Sequence, residues 1–114
     1  VADVLAYQPA EEAFDLVLLA YLHLPAADLA NVLRRARTAL APGGRLLSVG
    51  HDLANLTDGV GGPQDPAVLH TVEGVTAQLD GLEICRAEVA RRPVQIEGRT
   101  VDALDTVVVA AKPV

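Results

Sequence analysis

One stretch of the chain, residues 14–50, restricts the fold of this 114-residue sequence more than any other. It reads FDLVLLAYLHL, then PAADLANVLRRARTALAPGG, then RLLSVG, which predicts a buried strand, an amphipathic helix, a glycine turn and a second strand. Two apolar strands joined by a helix form a βαβ crossover, which implies an α/β fold with a parallel sheet and helices on its faces. Ligands bind such sheets beyond the carboxyl ends of the strands, so residues 20–23 and 50–52 are expected to line any site.

The predicted helix has recognisable signals at both of its ends. Pro25 opens it, at a position where the missing N–H leaves no hydrogen bond unmade. Asp28 falls in the first turn, where a negative charge is favourable, and the Pro-Gly-Gly sequence at 42–44 ends the helix. The spacing of one buried stripe is followed by Leu29, Val32, Leu33, Ala36 and Leu40.

The chain beyond the second strand begins with a long irregular segment, residues 51–66, which is rich in glycine, proline and aspartate. Residues 67–80 have apolar side chains at helical spacing and predict a second helix, which Gly81 ends. The length of the chain predicts a single domain over residues 1–114.

The last part of the chain predicts an antiparallel hairpin. Residues 82–90 alternate between polar and apolar side chains, with a shift of phase between Ile84 and Cys85, which predicts an edge strand with a β-bulge. Residues 91–99 predict a polar connection. The continuously apolar residues 106–111 predict a strand that lies inside the sheet, so a mostly parallel sheet closes with an antiparallel hairpin.

Composition restricts the class of partner. The net charge of −6, from nine basic and 15 acidic residues, argues against a nucleic-acid backbone or an anionic membrane, and favours a small molecule. No apolar run approaches the roughly 18 residues that span a bilayer. Cys85 is the single cysteine, so no intramolecular disulfide can form, which suits a reducing cytoplasm.

Residue spacing also argues against two kinds of site. His23, His51 and His70 are not spaced as metal ligands on one helix turn, so we expect no metal site. Cys85 lies in a strand with no neighbouring histidine, and Ser48 lacks the Gly-x-Ser-x-Gly motif of a nucleophile elbow. A nucleophilic cysteine or serine is therefore not expected.

The order of these elements resembles the second half of class I S-adenosylmethionine-dependent methyltransferases. In that family an FD-plus-apolar segment forms the fourth strand, and LxPGG precedes the fifth; here these are FDLVLLA and LAPGGRLL. The family also closes with an antiparallel hairpin whose last strand inserts between the fifth and sixth. The resemblance covers residues 2–113, with residues 40–47 as its more specific element, and implies a partial Rossmann-like sheet.

Methyl transfer from S-adenosylmethionine is the activity that this resemblance implies. Asp3 matches the family's acidic position, whose carboxylate accepts a hydrogen bond from the adenine amino group, and the backbone N–H of Val4 would meet a ring nitrogen. Ala20 and Tyr21 would lie against the methionine moiety of the cofactor. These four residues are the expected cofactor-binding set.

The acceptor side of the expected site comes from the ends of both strands. His23 and Asp52 would face the acceptor substrate, and His51 would act as the catalytic base, because imidazole titrates near neutral pH. The acidic chain favours a small-molecule acceptor.

The sequence also departs from the family. The glycine-rich loop after the first strand and the acidic residue after the second have no counterpart, and residues 59–62 do not replace that loop because they follow no strand. Without the family's first strand, residues 16–20 would form an exposed apolar edge. The sequence begins with Val1 and contains no Met, so we expect a longer functional protein with an N-terminal segment, or a second copy of the chain that supplies the strand.

Two other functions stay open at this point. The chain could be a methyltransferase-like module without catalytic activity that serves in interaction or dimerisation. It could also be half of an oxidoreductase that uses a nicotinamide nucleotide, which would require a Gly-x-Gly-x-x-Gly segment upstream.

Overall fold

The computed structural model describes residue 7 and residues 9–114. Eight elements follow one another in order: β1 (Phe14–Ala20), α1 (Ala26–Ala39), β2 (Leu40–His51), α2 (Asn55–Asp58), a 3-10 turn (Pro66–Val68), α3 (Val72–Thr76), β3 (Glu83–Ile96) and β4 (Arg99–Ala111). The strands form one sheet in the order β1-β2-β4-β3. Only β1 and β2 are parallel within the described residues, so this sheet is mixed rather than mostly parallel.

Helix α1 and the βαβ crossover are confirmed. The backbone N–H of Leu29 donates to the carbonyl of Pro25 at 2.9 Å, and Asp28 lies in the first turn. Every residue of the predicted stripe is buried, and Leu33 and Leu40 have no exposed surface. Burying an aliphatic side chain of this size contributes about 1.5–3 kcal/mol, so this stripe holds α1 on the sheet.

The terminal hairpin is confirmed in its order but not in its length. β4 lies between β2 and β3, and the pairing register shifts between Ile84 and Arg86, at the predicted bulge. The prediction of a connection over residues 91–99 is wrong, because β3 continues through this segment, paired with β4. The turn itself is only Glu97 and Gly98, both with positive φ (49° and 76°), a conformation that suits a tight hairpin.

The predicted helix over residues 67–80 is also wrong in its extent. His70 lies in extended backbone, where its N–H donates to the His51 carbonyl at 2.8 Å and its carbonyl accepts from Leu53. That pairing excludes a helix through residue 70. A short helix, α3, follows only after Thr71, whose hydroxyl accepts from the N–H of Gly74 at 3.0 Å as an N-cap.

The two faces of the sheet differ in what covers them, because successive side chains point to opposite sides of each strand. The helix-covered face, packed against α1 and α3, comprises Leu46, Ser48, Gly50, Thr106, Val108 and Ala110. The open face comprises Leu16, Leu18, Leu47, Val49, Val107 and Val109. None of these six open-face residues belongs to the core cluster of the described residues, and all six are half-buried or exposed.

Candidate active site

The carboxyl ends of β1 and β2 lie side by side, as the βαβ crossover predicts. The N–H of Tyr21 donates to the carbonyl of Val49 at 2.7 Å, which extends the β1–β2 pairing past the end of β1. The Tyr21 and His51 rings have centroids 5.0 Å apart, and the His23 ring lies 5.7 Å from that of His51. Three of the predicted site residues therefore form one group, here called the edge cluster: Tyr21, His23 and His51.

A buried carboxylate, that of Asp105 in β4, lies behind the edge cluster. The Tyr21 hydroxyl donates to its Oδ2 at 2.9 Å, and Arg92 donates from Nε to the same oxygen at 3.0 Å. His51 Nδ1 lies 3.8 Å from Oδ1, too far for a hydrogen bond, and has no other partner within the described residues. Asp105 is 5% exposed, so its charge is balanced mainly by these neighbours.

Strand pairing explains why these side chains meet. His51 and Asp105 are directly opposite each other in the β2–β4 ladder, so their side chains share one face of the sheet. Ala90 of β3 opposes Asp105 from the other side, and Arg92, two residues further on, points to that same face.

Sequence reasoning missed Arg92 and Asp105, because it placed a connection over residues 91–99 and began the last strand at residue 106. One signal could have found Asp105: a carboxylate directly preceding the apolar run TVVVAA is unusual for a central strand.

The protonation states of His51, Tyr21 and Arg92 follow from their burial and from the nearby Asp105 carboxylate. Burial lowers the pKa of His51, and the nearby Asp105 carboxylate opposes this effect. Burial raises the pKa of Tyr21, and its hydrogen bond to Asp105 acts in the same direction. The hydrogen bond to Asp105 raises the pKa of Arg92. At neutral pH His51 is therefore a neutral imidazole, Tyr21 a protonated phenol and Arg92 a charged guanidinium.

Asp52 and His70 lie at the same edge of the sheet, on its helix-covered side. The Asp52 carboxylate accepts from the Thr106 hydroxyl and from the N–H of Ala54, so both oxygens serve the local backbone and β4. The predicted contact between Asp52 and an acceptor stays a prediction. His70 is 3% exposed, its Nε2 lies 3.3 Å from the Leu22 carbonyl oxygen, and burial lowers its pKa.

Two of the four residues predicted to bind the cofactor, Ala20 and Tyr21, lie where β1 ends. Ala20 has a small, exposed side chain at the end of β1, and Tyr21 turns the chain away with a φ of 53°. A small side chain beside an aromatic ring suits an aliphatic chain such as the methionine moiety. Asp3 and Val4, predicted to hold adenine, lie outside the described residues. The structure therefore describes only the two residues predicted to contact the methionine moiety.

The described part of the chain also bears on metal binding and on membrane crossing. It contains no group of three or more His, Cys, Asp or Glu side chains arranged to hold a metal ion. None of its helices combines the length and the apolar character that crossing a bilayer requires.

Comparison with known proteins gives a likeness of fold. No family model and no curated protein matches the chain. Among solved structures, the N-methyltransferase NodS from Bradyrhizobium japonicum, in complex with S-adenosyl-L-homocysteine, superposes with a TM-score of 0.68 at 19% identity, over 99% of this chain and 53% of NodS. A SAM-dependent methyltransferase from Methanosarcina mazei gives 0.67 at 14% identity, over 99% and 66%. The [4+2]-cyclase SpnF gives 0.65 at 16%, over 99% and 54%.

The chain spans between about half and two thirds of the length of these three structures, which are longer than its own 114 residues. Nearly all of its own length is used in each superposition, so the likeness includes the mixed sheet, α1 and the terminal hairpin. This chain has the partial Rossmann-like fold of class I S-adenosylmethionine-dependent methyltransferases.

Proposed function

We propose that the polypeptide containing these residues transfers a methyl group from S-adenosylmethionine to a small-molecule acceptor. The observation that carries the proposal is the edge cluster, which lies at the carboxyl ends of two parallel strands in a fold shared with methyltransferases. The net charge of −6 supports a small acceptor over a nucleic acid, and the single cysteine supports a reducing cytoplasm.

The cofactor would supply a methyl group on a positively charged sulfur, which an acceptor nucleophile displaces in one step. The residues of this chain would orient the two reactants, and orientation alone accounts for much of the rate in such a displacement. Ala20 and Tyr21 would hold the methionine moiety. Asp3 and Val4 are proposed to hold the adenine ring.

His51 would accept the proton that the acceptor loses as its bond to the methyl group forms. Burial lowers the pKa of His51, so the imidazole is neutral and able to accept a proton at neutral pH. Asp105 lies 3.8 Å from Nδ1 and would stabilise the resulting imidazolium, while Tyr21 and Arg92 hold the carboxylate in place. His23, whose ring lies 5.7 Å from that of His51, and Asp52 are proposed to contact the acceptor.

Calorimetric titration with S-adenosylmethionine tests this proposal on the polypeptide as isolated from its source. Ala20→Leu places a larger side chain where the methionine moiety is proposed to lie, and we expect it to weaken binding about tenfold or more, equivalent to ~1.4 kcal/mol. Ala87→Leu is the matched control, because Ala87 is exposed on β3, away from the edge cluster. Absence of binding in the unmodified polypeptide would contradict the proposal.

The same titration distinguishes the two other functions. SpnF shows that a similar fold hosts a different reaction, so the site rather than the fold must decide. A module without catalytic activity would bind no cofactor and would self-associate through β1. An oxidoreductase half would prefer a nicotinamide nucleotide to S-adenosylmethionine.

A further inference from the structure

The glycine-rich segment of the long irregular stretch, residues 59–62, lies against the ring of His51. We propose that Asn55 and Gly62 are positioning residues for His51: Asn55 holds this segment, here called the 59–62 loop, against the imidazole, so that the loop keeps water from the ring. The assignment of His51 as the base rests on the proposed function. The position of the loop rests on packing and hydrogen bonds alone.

Asn55 connects the 59–62 loop to strand β4. Its side chain is buried, and its Oδ1 accepts from the backbone N–H of Leu104 at 2.8 Å. Its Nδ2 donates to the carbonyl of Val60 at 3.2 Å and to that of Gly61 at 2.9 Å. A Cβ atom at residue 59 would overlap Asn55 Oδ1, so glycine is required where the loop passes this side chain. One buried amide therefore determines where the loop lies relative to the sheet.

Gly62 is the residue through which the loop contacts the His51 ring. Its φ is 71°, in the left-handed region that favours glycine. A Cβ atom at residue 62 would lie 3.0–3.1 Å from three ring atoms, Nδ1, Cγ and Cε1, so either the ring or the loop would have to move. Gly61 has nearly the same φ, 72°, but a Cβ atom there would have no neighbour within 4 Å. The close approach is therefore specific to Gly62.

The loop acts on His51 through burial rather than through charge, because residues 59–62 include no titratable side chain. The titratable groups that lie near the ring are on other elements: Asp105 of β4, Arg92 of β3, and Tyr21, His23 and His70. The His51 side chain is only 14% exposed, and burial is the largest influence that lowers its pKa. An imidazole with a lowered pKa stays neutral, and able to accept a proton, over a wider range of pH.

An NMR titration of the histidine ring resonances tests this proposal on the polypeptide isolated from its source. Gly62→Ala and Gly61→Ala impose the same backbone strain in the same loop, but only Gly62→Ala adds an atom against His51. We expect Gly62→Ala to displace the loop, admit water and raise the pKa of His51 by about 0.5 or more above its value in Gly61→Ala. A His51 pKa in Gly62→Ala that equals or falls below the value in Gly61→Ala overturns the proposal.

Asn55→Asp tests the anchor of the loop, and decides the proposal if Gly62→Ala does not fold. It keeps an oxygen for the Leu104 N–H but replaces the donor to the two loop carbonyls with a second oxygen, which repels them. At pH 8, well above the ordinary carboxyl pKa, we expect the nuclear Overhauser effect between the Gly62 Hα protons and the His51 ring to disappear, while the Leu104 amide stays protected from hydrogen exchange. An unchanged nuclear Overhauser effect overturns the role of Asn55.

Neither measurement uses the cofactor or an acceptor, so its result is separate from that of the titration with S-adenosylmethionine. Failure to bind S-adenosylmethionine would contradict methyl transfer and leave the position of the loop to these two measurements. An unchanged His51 in both variants would overturn the loop as a positioning element, even in a polypeptide that binds the cofactor.

Discussion

The two faces of the sheet are similarly apolar, but the described helices cover only one of them. On the helix-covered face, α1 and α3 bury Leu46, Val108 and Ala110 completely, and the packing is self-sufficient. On the open face the side chains are equally apolar, but they end in the edge cluster and its buried Asp105. We therefore expect the helix-covered face to contribute more to the stability of this chain than the open face, which leads to the candidate site.

Two adjacent leucines give the sharpest contrast between the faces. Leu46→Ala removes a side chain with no exposed surface, and we expect it to reduce the free energy of unfolding by about 2–5 kcal/mol. Leu47→Ala removes the same atoms from a half-buried position, and we expect a loss of less than about 1.5 kcal/mol. Urea unfolding of both variants measures the difference. Equal losses would mean that the two faces are not distinct.

A second prediction for the helix-covered face concerns Gly50, which lies against the His70 ring. A Cβ atom at residue 50 would lie 2.3 Å from the ring, so Gly50→Ala must displace His70. We expect a loss of about 1–3 kcal/mol, which is typical of overpacking. Thermal unfolding measures it, and Gly50→Ala combined with His70→Ala, which removes the obstructing ring, should be less destabilised than the sum of the two single changes.

The hydrogen bond between Thr106 and Asp52 gives a smaller effect on the covered face. Thr106→Val keeps the shape of the side chain but leaves one oxygen of the buried Asp52 without its donor, and we expect a loss of about 1–3 kcal/mol. Thr100→Val, on the exposed end of β4, serves as the matched control and should change stability by less than about 0.5 kcal/mol. If the Thr106→Val variant has the same free energy of unfolding as the unmodified chain, this hydrogen bond contributes nothing to stability.

The pH dependence of stability gives the smallest effect. Burial lowers the pKa of His70 in the folded chain below its ordinary value of 6.5, so the unfolded chain binds more protons just below that pH. The contribution of His70 to the free energy of unfolding is therefore fully present above about pH 6.5. It is lost as the pH decreases through the lowered pKa of His70. We expect His70→Gln to flatten this slope in urea unfolding at pH 5.5–7.5. A chain that becomes more stable over that range on acidification would contradict the assignment.

Much of the fold could be predicted because local patterns agreed with it. The stripe on α1 and the phase shift at Ile84 each depend on neighbours close in sequence, and both predictions are confirmed. The extent of β3 could not be predicted, since residues 91–96, which include two arginines and a proline, are held extended by their pairing with β4. The same applies to His70, whose extended backbone depends on its pairing with the end of β2.

The candidate site also combines residues that local patterns predict with residues that depend on long-range pairing. The edge cluster could be predicted from strand order, because the ends of adjacent parallel strands must lie together. The position of Asp105 and Arg92 beside this cluster could not, since they reach this edge only through the antiparallel register of β2, β4 and β3. The predicted adenine contacts at residues 3 and 4 lie outside the described residues and stay predictions.

An NMR titration with S-adenosyl-L-homocysteine, on the polypeptide isolated from its source, tests the proposed site most directly. We predict that side-chain resonances of Tyr21 and His51 shift on binding, while the methyl resonances of Leu33 and Val75, in the core beneath the covered face, do not. Binding that leaves Tyr21 and His51 unchanged, or no binding at all, would contradict it.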